Sequence, residues 1–106
     1  MSSNKPTIVR LTRAARSDLD DIWRHTAQTW SPDQADLYVG ELNAAFARIL
    51  AHPAMAREYI EFNPPVRILV HQSHLVIYRI EHSEVRVIRL LGGRHDWKRL
   101  LALLDY

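Results

Sequence analysis

Apolar and polar positions alternate most regularly between Val66 and Arg94. Three short runs lie there: Val66 to His71, His74 to Glu81, and Glu84 to Leu91. Each is rich in Val, Ile and Leu, and the polar pairs Gln72-Ser73 and His82-Ser83 separate them. Short β-prone runs joined by two-residue polar breaks predict a meander of adjacent antiparallel strands. Gly92-Gly93-Arg94 closes the meander. In the middle strand Val76, Tyr78 and Ile80 fall on one face and Leu75, Ile77 and Arg79 on the other. Apolar residues on both faces predict a central strand that is covered, at least partly, on both sides. In the last strand Val85, Val87, Arg89 and Leu91 alternate with Arg86, Ile88 and Leu90.

Ahead of the meander the period changes from two to between three and four. After a polar lead over residues 1–6, Thr7 to Leu11 predicts a first strand. Thr12 is the N-cap of a helix whose apolar stripe is Ala15, Leu19, Ile22, Trp23, Thr26, Ala27 and Trp30. Arg16, Asp20, Arg24 and Gln28 take the opposite side. A second helix starts at Ser31-Pro32-Asp33-Gln34, with Ser31 as cap, Pro32 at the first helical position and Gln34 completing a capping box. Its stripe is Ala35, Tyr38, Leu42, Ala45, Phe46 and Ile49, and Pro53 ends it near Ala51 or His52. Gly40 marks a weak point or a close helix contact. A connection this short makes the pair an antiparallel hairpin, whose stripes have the sheet to pack on. Trp23, Trp30, Tyr38 and Phe46 are expected in the core. Pro53 to Pro65 reads as a loop with an apolar patch at Tyr59, Ile60 and Phe62. Asp96 reads as the cap of a last short helix with Trp97, Leu100, Leu101 and Leu104 on one side. The expected fold is a single α+β domain over residues 1–106. It runs N-terminal strand, helix hairpin, three-stranded antiparallel meander completing a four-stranded sheet, and short C-terminal helix, with the helices packed on one face.

Composition narrows the chemistry. The chain has 106 residues, 47% apolar and 25% charged, and fits one modest core. It has no cysteine, which excludes disulfides, thiolate metal sites and a cysteine nucleophile and fits a cytoplasmic setting. No run is apolar enough for a signal peptide or a membrane span. Net charge is +2 but unevenly placed. Residues 66–99 carry seven Lys/Arg against three Asp/Glu, while residues 1–65 carry seven against eight. The surplus on the sheet suggests an acidic partner, or a solvated rim that discourages edge association. His71 and His74 flank a turn with no carboxylate or cysteine adjacent, so neither a metal nor a cofactor is expected. The serines lie in the tail, caps, turns and helix surfaces, and no nucleophile elbow is present.

Four runs carry a resemblance: Leu11 to Trp23, Trp30 to Asp36, Val76 to Ile80, and Val87 to Asp96, the last reading Val-Ile-Arg-Leu-Leu-Gly-Gly-Arg-His-Asp. In this order the chain resembles the ParE-type toxins of the ParE/RelE toxin–antitoxin superfamily over essentially its whole length. The resemblance implies one of two activities. RelE-like members are ribosome-dependent mRNA endonucleases, in which Arg and Lys stabilise charge on the scissile phosphate and a proton carrier serves the 2′-OH. ParE-like members poison DNA gyrase without a known catalytic residue. The RelE-like middle-strand arginine falls on Leu75 here, and the C-terminal tyrosine near Leu100. Arg94 matches, Arg67 lies near a basic position, and His95 has no aligned partner. The resemblance therefore implies a non-enzymatic gyrase inhibitor, neutralised in a hetero-oligomeric complex by a ParD-like antitoxin with an acidic amphipathic segment. It implies no sequence-specific nucleic-acid binding and no membrane. The residues expected to meet the antitoxin or gyrase are Arg67, Tyr78, Arg89, Arg94, His95 and Trp97. The alternatives are an endoribonuclease using Arg67, Arg94 and His95, or a non-toxic relic that binds only the antitoxin.

Overall fold

Thr12 joins the first strand, the first helix and the sheet. Its hydroxyl accepts from the Ala15 N–H at 3.0 Å, capping the helix, and donates to the Ile88 carbonyl at 2.7 Å. The computed structural model describes residues 5–93, 98 and 99. Strand β1 (Ile8–Leu11) leads through this cap into α1 (Arg13–Thr29), and α2 (Pro32–Ala51) follows after one turn. Ser31 caps α2 by accepting from the Gln34 N–H at 3.0 Å. Pro32 stands in the first turn, where its missing N–H leaves no helical bond unmade.

Strands β3 (Val66–His71), β4 (His74–Glu81) and β5 (Glu84–Gly92) form the antiparallel meander. β1 adds to β5 in parallel. The sheet has five strands and not four, in the order β1-β5-β4-β3-β2. The extra strand, β2 (Arg57–Tyr59), pairs antiparallel with β3 inside the stretch expected to be loop. Three residues reading Arg-Glu-Tyr are too few to display a period of two, so nothing in the pattern marks them.

β4 is central, as its two apolar faces imply. Val76 and Tyr78 face the helices and join Ile22, Leu42, Phe46, Ile49, Val85, Val87 and Leu90 in the main core. Leu75 and Ile77 face the other way, with Val66, Ile68, Ile88 and Leu91, and Tyr59 and Phe62 pack against that second cluster. The alternation expected for β5 holds only to Val87. Tyr78 pairs with Val87 and Ile77 with Arg89, so Ile88 is an extra residue, a β-bulge. The bulge reverses the phase: Leu90 joins Val85 and Val87 in the helix-side core, and Leu91 joins Ile88 on the far side.

Two tryptophans expected in the core are outside it. α1 ends at Thr29, and Trp30 takes a non-helical cap conformation that carries it off the stripe, leaving it 74% exposed. Trp23 sits on the shoulder of the stripe, and its indole N–H donates to Asp36 Oδ1 of α2 at 2.8 Å. Gly40 makes no close contact: a Cβ there would meet open space. The expected C-terminal helix lies outside the described residues except for Lys98 and Arg99, which are helical. Lys98 Nζ lies 3.2 Å from Glu61 and over the Tyr59 ring.

Candidate partner-binding surface

Past Leu11, β1 no longer covers the edge of β5, and α1 takes over. Thr12 N–H donates to the Val87 carbonyl at 3.0 Å. Asp18 accepts from Arg89 Nε at 2.7 Å and Nη2 at 2.9 Å, and from the Leu90 backbone N–H at 3.0 Å. The carboxylate thus does what a neighbouring strand would do for Leu90, while the fork of two charge-assisted bonds fixes α1 on β5. These bonds to Asp18 hold the Arg89 guanidinium charged more firmly than usual, against the opposing effect of its partial burial.

Beside this clamp runs a cleft between α1, α2 and the β3–β4 turn. One cavity of about 550 Å³ is lined by His25, Thr26, Trp30, Gln34, Tyr38, Gln72, Ser73 and His74. A second of about 430 Å³ shares His25, Thr26 and His74 and continues to Ile22, Arg89, Leu90 and Leu91. His74 therefore stands where the two meet. Its Nδ1 lies 2.7 Å from the Tyr38 hydroxyl, and the Tyr38 ring is 5.5 Å from His74 and 5.7 Å from His71 between centroids. Burial lowers the His74 pKa, His71 and His25 lower it further, and Asp18 opposes them. Burial raises the Tyr38 pKa. Both groups are held neutral. His71 Nε2 meets Glu41 at 3.3 Å, and the Gln72 amide donates to the same carboxylate at 2.8 Å. Among the described residues no cluster of three or more His, Asp or Glu is arranged to hold a metal.

The far face of the sheet carries charge near the β4–β5 turn. Arg10, Glu84, Arg86, Glu81 and Arg79 form a ladder across three strands, with successive contacts of 3.2, 3.3, 3.1 and 3.2 Å. Arg10 and Arg86 hold the Glu84 carboxyl below its usual pKa, with the Arg10 hydrogen bond first among the causes. Three guanidinium groups against two carboxylates give this face its positive surplus.

The structure distributes the residues singled out by sequence. Arg67 and Tyr78 are cross-strand partners on β3 and β4. Arg67 Nη1 donates to the Ala56 carbonyl at 2.6 Å, and the Tyr78 hydroxyl donates to the Pro53 carbonyl at 2.7 Å. Both tie the segment after α2 to the sheet. Tyr78 is fully buried, which places it in the core and not at a surface where a partner would touch it. Arg89 stands apart from this pair, on Asp18. Arg94, His95 and Trp97 lie outside the described residues. The central place of His74 in the cleft, and the exposure of Trp30 beside it, were not anticipated. The only visible signal was the polar turn flanked by His71 and His74; the tyrosine it meets is 36 residues away.

The profile of the family described as "ParE toxin of type II toxin-antitoxin system, parDE" matches residues 9–97. The chain is 39% identical over 82 residues to Toxin ParE1 of Caulobacter vibrioides, covering 77% of this chain and 84% of that protein. It is 37% identical over 92 residues to Toxin ParE1 of Mycobacterium tuberculosis, covering 86% and 94%. In fold it is similar to a solved chain described as "Chromosomal ParDE TA system from P. aeruginosa", with a TM-score of 0.72 at 21% identity, covering 85% of this chain and 98% of that one. With the profile spanning strand, hairpin and meander alike, the chain belongs to the ParE toxin family of type II toxin–antitoxin systems.

Proposed function

We propose that this chain is the toxin of a toxin–antitoxin pair, that it acts by binding and inhibiting DNA gyrase, and that a cognate antitoxin neutralises it by laying an amphipathic segment on its surface. The observation that carries the binding reading is how four arginines of the meander are used. Arg67 is committed to a backbone carbonyl, Arg89 to Asp18, and Arg79 and Arg86 to Glu81. A nuclease needs guanidinium groups aimed at a phosphate. Leu75, where the RelE-like arginine falls, is buried in the second cluster. The cleft instead offers apolar burial, and the far face a net positive charge, to a protein segment that orders as it binds.

Purified chain added to gyrase and supercoiled plasmid should trap linear, cleaved DNA, and induced cells should filament with intact transcripts. Cleavage of translated mRNA at codon positions, with gyrase unaffected, would establish the endonuclease reading instead. Normal growth on expression without the antitoxin would mark the chain as a non-toxic binding subunit.

A further inference from the structure

The larger cavity, between the hairpin tip and the β3–β4 turn, is lined by rings, amides and hydroxyls. None of its described lining residues is Asp, Glu, Lys or Arg, and none is a plain aliphatic. Its volume of about 550 Å³ lies within the roughly 300–1,000 Å³ of small-molecule sites. Some of the polar groups are spent within the chain. The Thr26 hydroxyl donates to the Ile22 carbonyl, and the Gln72 amide donates to Glu41. The Tyr38 hydroxyl lies 2.7 Å from His74 Nδ1 and 3.5 Å from the His71 carbonyl, so its proton goes to the nearer acceptor. Burial keeps the His74 imidazole neutral, which puts its own proton on Nε2. Other groups are unspent. Among the described residues nothing bonds the Gln34 side-chain amide, the Trp30 indole N–H or His74 Nε2.

A ligand matched to this lining is flat, uncharged and able both to donate and to accept. A glutamine amide reads such an edge with two bonds, as it does the N6 amine and N7 of adenine. The exposed Trp30 indole offers a face on which a base can stack. With no Lys or Arg in the described lining, a phosphate has no seat. The adjoining cavity turns phosphate away as well: Asp18 and Asp21 line it against Arg89, which two bonds already hold to Asp18. A sugar would bring more hydroxyls than the unspent groups can pair. We propose that this cavity binds an uncharged purine nucleoside, with the base stacked on Trp30 and its hydrogen-bonding edge read by Gln34 and His74. The proposal goes beyond the toxin reading and does not depend on it.

The probe is adenosine, titrated into the full chain by calorimetry at pH 7.5 with tryptophan fluorescence followed in parallel. Binding should saturate with a Kd on the order of 100 μM, the range set by the contact efficiency of a ligand of this size. Trp30→Ala should weaken it about tenfold, the loss of one base–aromatic stack. Gln34→Ala should weaken it about fivefold or more, the loss of a bidentate pair. Both side chains are exposed, and the Gln34 backbone N–H that meets the Ser31 cap is untouched, so circular dichroism should show both variants folded. AMP should bind more weakly than adenosine. No saturable signal up to about 5 mM, or adenosine bound by both variants as tightly as by wild type, overturns the proposal. AMP or a short oligo(dA) binding more tightly than adenosine also overturns it, since phosphate would then carry the recognition, as does maltose binding where adenosine does not. None of these outcomes touches the toxin reading, which fails separately in the gyrase and growth assays.

Discussion

Asp18 and Arg89 are 71 residues apart in sequence and share two hydrogen bonds, 2.7 and 2.9 Å long, with the same carboxylate also holding the Leu90 N–H. This junction makes the start of α1 the covering layer for the end of β5. Removing the carboxylate leaves a partly buried guanidinium and a backbone donor without their acceptor. Asp18→Ala should cost about 2–3 kcal/mol. For a domain of this size that lowers the melting temperature by roughly 10 °C or more. Thermal denaturation followed by circular dichroism measures it. In a cycle with Arg89→Ala, the two losses should fall short of additivity by about 1–2 kcal/mol, and simple additivity would contradict the pairing.

Tyr78 separates a core role from a contact role. Its hydroxyl ends on the Pro53 carbonyl, and no part of the side chain reaches solvent. Tyr78→Phe should reduce stability by about 1–2 kcal/mol in urea denaturation, because the carbonyl loses its donor. A variant of undiminished stability that binds antitoxin or gyrase more weakly would contradict the burial.

Much of this fold is legible in the sequence. The meander showed itself because β4 is apolar on both faces, and the helices because Thr12, Ser31 and Pro32 are strong start signals over clear stripes. Three features were hidden, each for a physical reason. β2 is a three-residue edge strand whose pairing depends on β3 and not on its own pattern. The bulge at Ile88 inserts one residue into a run of Val, Ile and Leu, where either phase is equally apolar. Trp30 continues the α1 stripe by arithmetic, but the helix stops one residue earlier. The candidate site was the least legible part. Asp18 with Arg89 and Tyr38 with His74 are pairs that only the packing of the hairpin on the sheet brings together. Arginines in strands suggested a binding face, but the partners that occupy them could not be known from one-dimensional spacing.

The β4–β5 turn offers a test of local strain. His82 and Ser83 have φ of 51° and 63°, and two left-handed central residues are the mark of a type I′ turn. That turn favours Asn-Gly, since a Cβ in this region costs energy that glycine avoids. Ser83→Gly should stabilise the chain by about 0.5–1 kcal/mol, the relief of strain exceeding the extra freedom of the unfolded glycine. Ser83→Val should destabilise it by about 1–2 kcal/mol, because a β-branched residue tolerates this conformation poorly. Urea midpoints for the two variants should move in opposite directions from wild type.

The depressed pKa of His74 makes stability fall on mild acidification. Burial against Tyr38, with His71 and His25 nearby, keeps the folded imidazole neutral to lower pH than the unfolded one, despite the opposing pull of Asp18. The unfolded chain titrates near the ordinary imidazole value of about 6.5. Above that pH neither state carries the proton and the full stability is present. Between it and the lower folded pKa the unfolded chain binds more protons, so the free energy of unfolding decreases as pH falls. One such group contributes a slope of at most about 1.4 kcal/mol per pH unit inside that window. Urea unfolding at pH 7.5, 6.5 and 5.5 should show little change over the first step and a clear loss over the second. His74→Gln, which removes the titrating group and keeps an acceptor for Tyr38, should lose less over that second step. Parallel pH profiles for the two proteins would show that the acid sensitivity arises elsewhere and that His74 is not held neutral by its surroundings.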